Sequence, residues 1–257
     1  TGDNMATILI DIETLPIQEH DCVWELLASR KFSADAYPGP PSNYKSPDKI
    51  AAHQAKWVKG LKDKRELARR QTSLDGKLGR VACIGLSYEV RPSVFERQIL
   101  HPPHVDTEAW RTTQVDHELL DKLTVWARTR ANGVPIKWVG WNIGFDLSFL
   151  RLRALRYRKD ELLHLLGPLD APPWEAAMDL QRVYPGRSTF SPDRYRSSLG
   201  DAWMSITGMT DDDTTGGGAK VYDQWVVGDT EKIVEHCDHD MQKTEDLYLR
   251  LAPFCKQ

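Results

Sequence analysis

Residues 7–16 read TILIDIETLP. The stretch is dominated by isoleucine and leucine, and Pro16 closes it, so it reads as a buried strand. On a strand, positions i and i+2 face the same way, which puts Asp11 and Glu13 on one face. Two carboxylates on an apolar strand are costly to bury unless a cation or a polar partner neutralises them. Taken alone, the pair reads first as a strand end whose acids reach water.

Working outward, VACIGLSYEV (81–90) and SVFERQIL (93–100) read as the next two strands, joined near Arg91-Pro92, so that the three form a meander. DHELLDKLTVWARTRANG (116–133) is a helix: Leu119, Leu120, Leu123 and Trp126 recur at helical spacing, and Asn132-Gly133 ends it. IKWVGW (136–141) is a short strand, and FDLSFLRLRALRYRK (145–159) a helix for which Asn142 is the candidate N-cap. MDLQRVY (178–184) reads as a short helix or an extended connection. SSLGDAWMSITG (197–208) is a helix stopped by Gly208, DDDTTGGGA (211–219) a flexible loop, and residues 229–251 a last long helix capped by Asp229 or Thr230. A long insertion, about Cys22 to Lys77, separates the first two strands. Its FSADAYPGPPSNYK (32–45) is Pro-rich loop, and a basic helix begins at Ser46-Pro47-Asp48, with proline in the first turn as helices prefer. The expected architecture is an α/β domain with a mixed sheet flanked by helices.

The chain has 257 residues, 40% apolar and 28% charged, within the range of ordinary globular proteins. No apolar run is long enough to span a membrane. Four cysteines (Cys22, Cys83, Cys237, Cys255) without a CxxC do not read as a disulfide framework, so a reducing, cytoplasmic setting is the default expectation. The leading TGDN before Met5 reads as residue left from expression. Net charge is −3, but its distribution is uneven. Lys45 to Arg80 holds eleven Lys/Arg against four Asp/Glu, a local +7, and RLRALRYRK from Arg151 adds five bases. Asp223 to Asp246 holds eight acids and two bases. Basic flanks around an acidic centre suit a protein that grips polyanions around cations, although solvated helix faces read the same way. Most of the nine tryptophans read as core, while those near a basic surface suit stacking on bases.

Two further segments bear on the acid pair. VGWNIGFDLSFL brings Asp146 to the first turn of a helix just after a strand, where an acid also suits the helix dipole. VEHCDHDMQKTEDLY puts His236 and Asp240 at i and i+4, on one helical face that Thr244 and Leu247 continue. A zinc set of His236, Cys237 and His239 is disfavoured, since adjacent helical residues point apart and no second Cys/His cluster supplies a fourth ligand. Four carboxylates with oxygen-only ligation suit Mg²⁺ or Mn²⁺. Two such ions about 3.5–4 Å apart stabilise attacking and leaving oxygens at a phosphate, and a nearby histidine can take a proton from water. Asp238 and His239 fall on other faces and read as solvated bystanders.

DIET (11–14), NIGFD (142–146) and HCDHD (236–240) resemble the three exonuclease motifs of the DEDD superfamily, whose fold is ribonuclease H-like. The similar layout runs from Thr7 to about Leu251. SNYKSPDKIA (42–51), SLDGKLGRVACIG (73–85) and the Asp240-xxx-Thr244-xxx-Tyr248 pattern are similar to a branch of stand-alone proteins related to the proofreading exonuclease of family B DNA polymerases. That branch usually has Tyr where His236 stands, and the histidine resembles the subgroup that includes proofreading subunits and RNA-trimming enzymes.

The resemblance implies a ribonuclease H-like mixed sheet, an antiparallel meander plus parallel strands. It makes residues 5–257 a single 3′–5′ exonuclease domain with a basic helical insertion at about 22–77. It implies two divalent cations, Mg²⁺ or Mn²⁺, on Asp11, Glu13, Asp146 and Asp240, with His236 as general base. The substrate would be single-stranded nucleic acid, DNA ahead of RNA, cut at its 3′ end, with replication or repair proteins as possible partners. The alternatives are an RNA-end-trimming exoribonuclease and a non-catalytic nucleic-acid-binding module on the same fold. Thr14 and Leu15 are expected to line the pocket for the terminal nucleotide. Asn142 and Phe145 flank Asp146 as substrate contacts, or serve as cap and core. Asp179 is a supporting acid or a cap. Lys56, Lys59 and Lys62 on the basic helix are expected to hold substrate phosphates.

Overall fold

A computed structural model of the chain describes residues 5–17, 21–32, 37–102, 115–170, 177–184, 197–211 and 217–255. The TGDN reading, Trp174 and the centre of the DDDTTGGGA loop lie outside the described residues. Contacts divide the chain into two compact units, Leu15–Gly79 on the one hand and Thr1–Thr14 with Arg80–Gln257 on the other.

The Leu15–Gly79 unit is helical, with α1 (Cys22–Phe32), α2 (Pro47–Arg70) and a 3-10 turn at Gln71–Leu74. The basic helix starts where the sequence placed it, with Pro47 in its first turn. Residues 37–46 carry no helix or strand, as the prolines require. Helix α1 carries weak periodicity and was not expected. A small core of Ile17, Trp24 and Ala28, with Phe32, Ala68 and Leu78 against it, ties the helices together. Arg69 is buried in this unit because its guanidinium is fully engaged: it donates to the Ile17 carbonyl at 3.0 Å and pairs with Glu66 at 2.8 Å.

The other unit is built on a five-stranded mixed sheet. Its strands are β1 (Ala6–Leu15), β2 (Arg80–Arg91), β3 (Val94–Leu100), β4 (Ile136–Gly140) and β5 (Ala177–Asp179), in the order β3-β2-β1-β4-β5. β4 runs parallel to both β1 and β5, while β2 and β3 are antiparallel. This is the α/β class, a mixed sheet flanked by helices, and the strand order is consistent with a ribonuclease H-like fold. β1 is central, so it reads as a nearly continuous apolar run, with Ile8, Leu9 and Ile10 fully buried.

Among the described residues seven α-helices accompany the sheet: α3 (Val115–Ala131), α4 (Ile143–Tyr157), α5 (Asp160–Leu165), α6 (Leu180–Val183), α7 (Leu199–Thr207), α8 (Val221–Val227) and α9 (Thr230–Leu251). α3 buries Leu119, Leu120, Leu123 and Trp126, the stripe its spacing predicts. MDLQRVY divides into both of its readings, strand β5 followed by helix α6. The short helices α5 and α8 were not expected. Leu9, Val139, Met178, Trp203, Met241 and Leu247 belong to one apolar cluster joining β1, β4 and β5 to α7 and α9.

Two expectations from charge are corrected. Arg151 and Arg153 of RLRALRYRK are not part of a solvated basic flank but are buried. Arg153 pairs with the equally buried Asp116 at 2.6 Å, and Tyr157 donates to the same carboxylate at 2.8 Å. Asp238 is no solvated bystander either. Arg97 on β3 holds it at 3.1 Å and also grips Glu245 at 2.7 Å, bracing α9 against the sheet. His239 is half-buried. All four cysteines are free. Among the described residues no helix is long and apolar enough to cross a membrane.

Candidate metal and acid–base site

Side chains alternate along β1, so Asp11 and Glu13 share the face on which Leu9 joins the apolar cluster with α9. The apolar face thus runs out into two carboxylates. Asp146 reaches the same strand because β4 turns sharply into α4 at Gly140. A Cβ there would lie 2.7 Å from the Ile10 carbonyl and 2.8 Å from Ile143, so only glycine permits this close approach. Asp146 is buried, and its Oδ1 accepts from the Ile12 backbone N–H at 3.3 Å. Asn142 occupies the N-cap position but caps nothing with its side chain. Its backbone is left-handed (φ 58, ψ 39), a conformation asparagine tolerates, and its N–H donates to Asp179 Oδ1 at 3.1 Å.

α9 brings the remaining groups. It lies close on β2 because Gly85 has no side chain: a Cβ there would sit 2.4 Å from Met241 Cγ and 3.0 Å from Cys237 Sγ. Ile233, Cys237, Met241, Thr244 and Leu247 form the buried stripe, and His236 and Asp240 border it. His236 is buried, with Nε2 3.3 Å from Glu13 Oε1 and 3.7 Å from Asp240 Oδ2. Donor atoms of Glu13, His236 and Asp240 all lie within 4.8 Å of one another, the one such group among the described residues. That group holds no cysteine, so His236, Cys237 and His239 do not converge as a zinc set. Asp11 and Asp146 stand outside this tightest group but within electrostatic reach of it.

The electrostatics follow from the crowding. Burial, then the Asp240 charge, push the Asp11 carboxyl from 3.8 up to about 7. Burial raises Glu13 well above its usual value, with Asp11 the next contributor and Cys83, Asp240 and Asp146 adding to it. Asp146 is raised by burial and then by Asp11, partly offset by the backbone N–H groups it accepts from. Asp179 is raised by burial against the N–H bonds from Gln181 and Asn142, and its charge acts in turn on Asp146. It is both cap of α6 and neighbour of the site.

Sequence reasoning passed over Lys243. It is buried one turn beyond Asp240, with Nζ 3.4 Å from Asp240 Oδ1 and 2.9 Å from Asp211 Oδ2. Asp211 in turn lies against Gly200, where a Cβ would come within 2.5 Å of its Oδ2. The i,i+3 spacing of Asp240 and Lys243 was the available signal. Of the expected substrate contacts, Thr14 and Phe145 are half-buried, and Leu15 is buried. Phe145 meets Phe149 with ring centroids 5.7 Å apart. Lys56, Lys59 and Lys62 are exposed on α2, in the other unit.

A divalent cation fits the donor set. Acids on three separate elements raise one another's affinity for protons, and a bound cation relieves that penalty by replacing the proton. The oxygen-rich ligands match a hard ion such as Mg²⁺ or Mn²⁺. No protein-family model matches the chain, and no curated protein matches it.

Proposed function

We propose that the protein is a metal-dependent 3′–5′ exonuclease acting on single-stranded nucleic acid, DNA ahead of RNA. The observation that carries this reading is the buried His236 with Glu13 at 3.3 Å and Asp240 at 3.7 Å, in a cluster on which the charges of Asp11 and Asp146 also act. Asp11, Glu13, Asp146 and Asp240 would hold two divalent cations, which would supply Lewis-acid stabilisation of charge at the scissile phosphate. His236 takes the proton of the attacking water through Nε2. Glu13 and Asp240 flank that nitrogen. Lys243 holds Asp240 from the far side and keeps its carboxylate oriented. Thr14, Asn142 and Phe145 would meet the terminal nucleotide.

The test uses 5′-labelled single-stranded DNA and RNA of equal length, with Mg²⁺ or Mn²⁺. A ladder shortening from the 3′ end, absent with Asp146→Asn, is the expected result, and the faster substrate identifies the sugar. Binding without cleavage of either strand refutes the enzyme and leaves the binding-module alternative.

A further inference from the structure

Helix α2 carries a feature that the carboxylate site does not use. His53, Trp57, Gly60 and Lys64 follow one another at helical spacing along one face. Over Gly60 lies a hollow of about 330 Å³, lined by those four with Lys56 and Leu61. Nothing approaches within 4 Å of the position a Cβ at Gly60 would take, so the floor is open. The aromatic wall is braced from the Pro-rich loop. Tyr37 hydroxyl meets His53 Nδ1 at 2.9 Å, its ring packs edge-on against Trp57 at 5.6 Å, and Tyr44 packs edge-on against His53 at 5.6 Å. All four rings keep part of their surface exposed. Around them Lys49, Lys56, Lys59, Lys62 and Lys64 are exposed, and none makes an ion pair among the described residues.

We infer that this face of α2 is a second binding surface for single-stranded nucleic acid, with a base stacked on Trp57 over Gly60 and neighbouring phosphates on Lys56, Lys59 and Lys64. A flat ring beside a floor without a side chain admits a planar base, and every base has a π-face, so the surface reads strand and not sequence. Bracing by Tyr37 and Tyr44 fixes the wall before the ligand arrives and lowers the cost of ordering it. An acidic peptide would answer the lysines but would leave the ring and the hollow unused. The choice of ligand rests on the nuclease reading; the geometry of the surface does not.

The experiment separates the two by working without metal. The full chain in EDTA is titrated against fluorescein-labelled oligothymidylate of about 20 nucleotides and against an abasic strand of the same length, by anisotropy. The native protein should prefer the strand with bases by roughly tenfold. Trp57→Leu should erase that preference while leaving the abasic strand bound. Gly60→Leu fills the hollow from a position whose Cβ meets nothing within 4 Å, and should do the same. Replacing Lys56, Lys59 and Lys64 by Glu should weaken both strands and flatten the salt dependence by about 2 in slope. If Trp57→Leu and Gly60→Leu both keep the preference for bases, the surface is not a stacking site. Displacement by polyglutamate as effective as by unlabelled oligothymidylate would assign the surface to acidic peptides and overturn the proposal. A protein that shows the binding pattern but cleaves nothing with metal would lose the nuclease reading and keep this one.

Discussion

Asp11→Asn probes the charge balance of the site with no substrate present. The Asp11 carboxyl moves from 3.8 in the unfolded chain to about 7 in the folded protein. A raised value means that between those limits the folded protein holds a proton the unfolded chain has already lost. Stability from this group is therefore intact below about pH 4, falls by about 1.36 kcal/mol per pH unit, and levels off above about pH 7. Across the interval from 3.8 to about 7 the loss is about 4 kcal/mol. Asparagine has nearly the same shape and no charge at any pH. Part of the Asp11 surface reaches solvent, so the gain at about pH 8 should be roughly 2–4 kcal/mol. In a chain of this size that is roughly 4–16 °C in melting temperature. The assay is thermal or urea unfolding in EDTA from about pH 3.5 to pH 8.5. The two proteins should start together, diverge up to about pH 7, and run parallel beyond it, with the variant on top. Adding Mn²⁺ should lift the native protein more than the variant, which has lost a ligand. A gap that is constant with pH, or a variant less stable at the alkaline end, refutes the electrostatic reasoning.

Replacing His236 by Ala should lower kcat by about 10²–10⁴-fold and leave oligonucleotide affinity in EDTA unchanged, and Tyr at the position should recover part of the loss; near-native turnover of the Ala variant by the gel assay removes the base. Lys243→Met strips Asp240 and Asp211 of their shared cation, so metal-free stability should fall by roughly 1–3 kcal/mol while the stabilisation by Mn²⁺ grows. Denaturation with and without the ion reads both, and unchanged midpoints would make the lysine a bystander. Gly140→Ala forces a Cβ into the Ile10 carbonyl at 2.7 Å; it should cost roughly 1–3 kcal/mol and weaken metal binding through Asp146, measured by calorimetric titration.

The period of 2 along β1 put Asp11 and Glu13 on one face and that of 3.6 along α9 put His236 beside Asp240, because each period assigns side chains to a face without knowledge of the partner element; Asp146 joined them only through the combined motifs and the resemblance they carry. What the period cannot say is what the other face meets. Arg151 and Arg153 read as solvent-facing because nothing near them in sequence neutralises them; Asp116, 37 residues away, does so for Arg153. Asp238 was misplaced for the same reason, since Arg97 lies 141 residues off. Helices of six or seven residues, such as α5 and α8, span too few turns to show a period. Gly140 and Gly85 look like weaknesses in their strands until the atoms opposite are known. Lys243 was legible in principle and was overlooked among the acids around it.

The site draws on both ends of a long stretch of chain, and this governs when it can exist. Asp11 on β1 and Asp240 on α9 are 229 positions apart in sequence. At the pace of ribosomal synthesis, β1 waits roughly 10–50 s for its partner. Through that interval Asp11 and Glu13 are exposed on a strand whose apolar neighbours have nothing from α9 to pack against. The last helix must then dock with Gly85 beneath Met241 before His236 meets Glu13. On the nuclease reading proposed above, chemistry that needs both would be withheld from the nascent polypeptide until α9 has docked, a safeguard where nucleic acid lies within reach of the emerging chain.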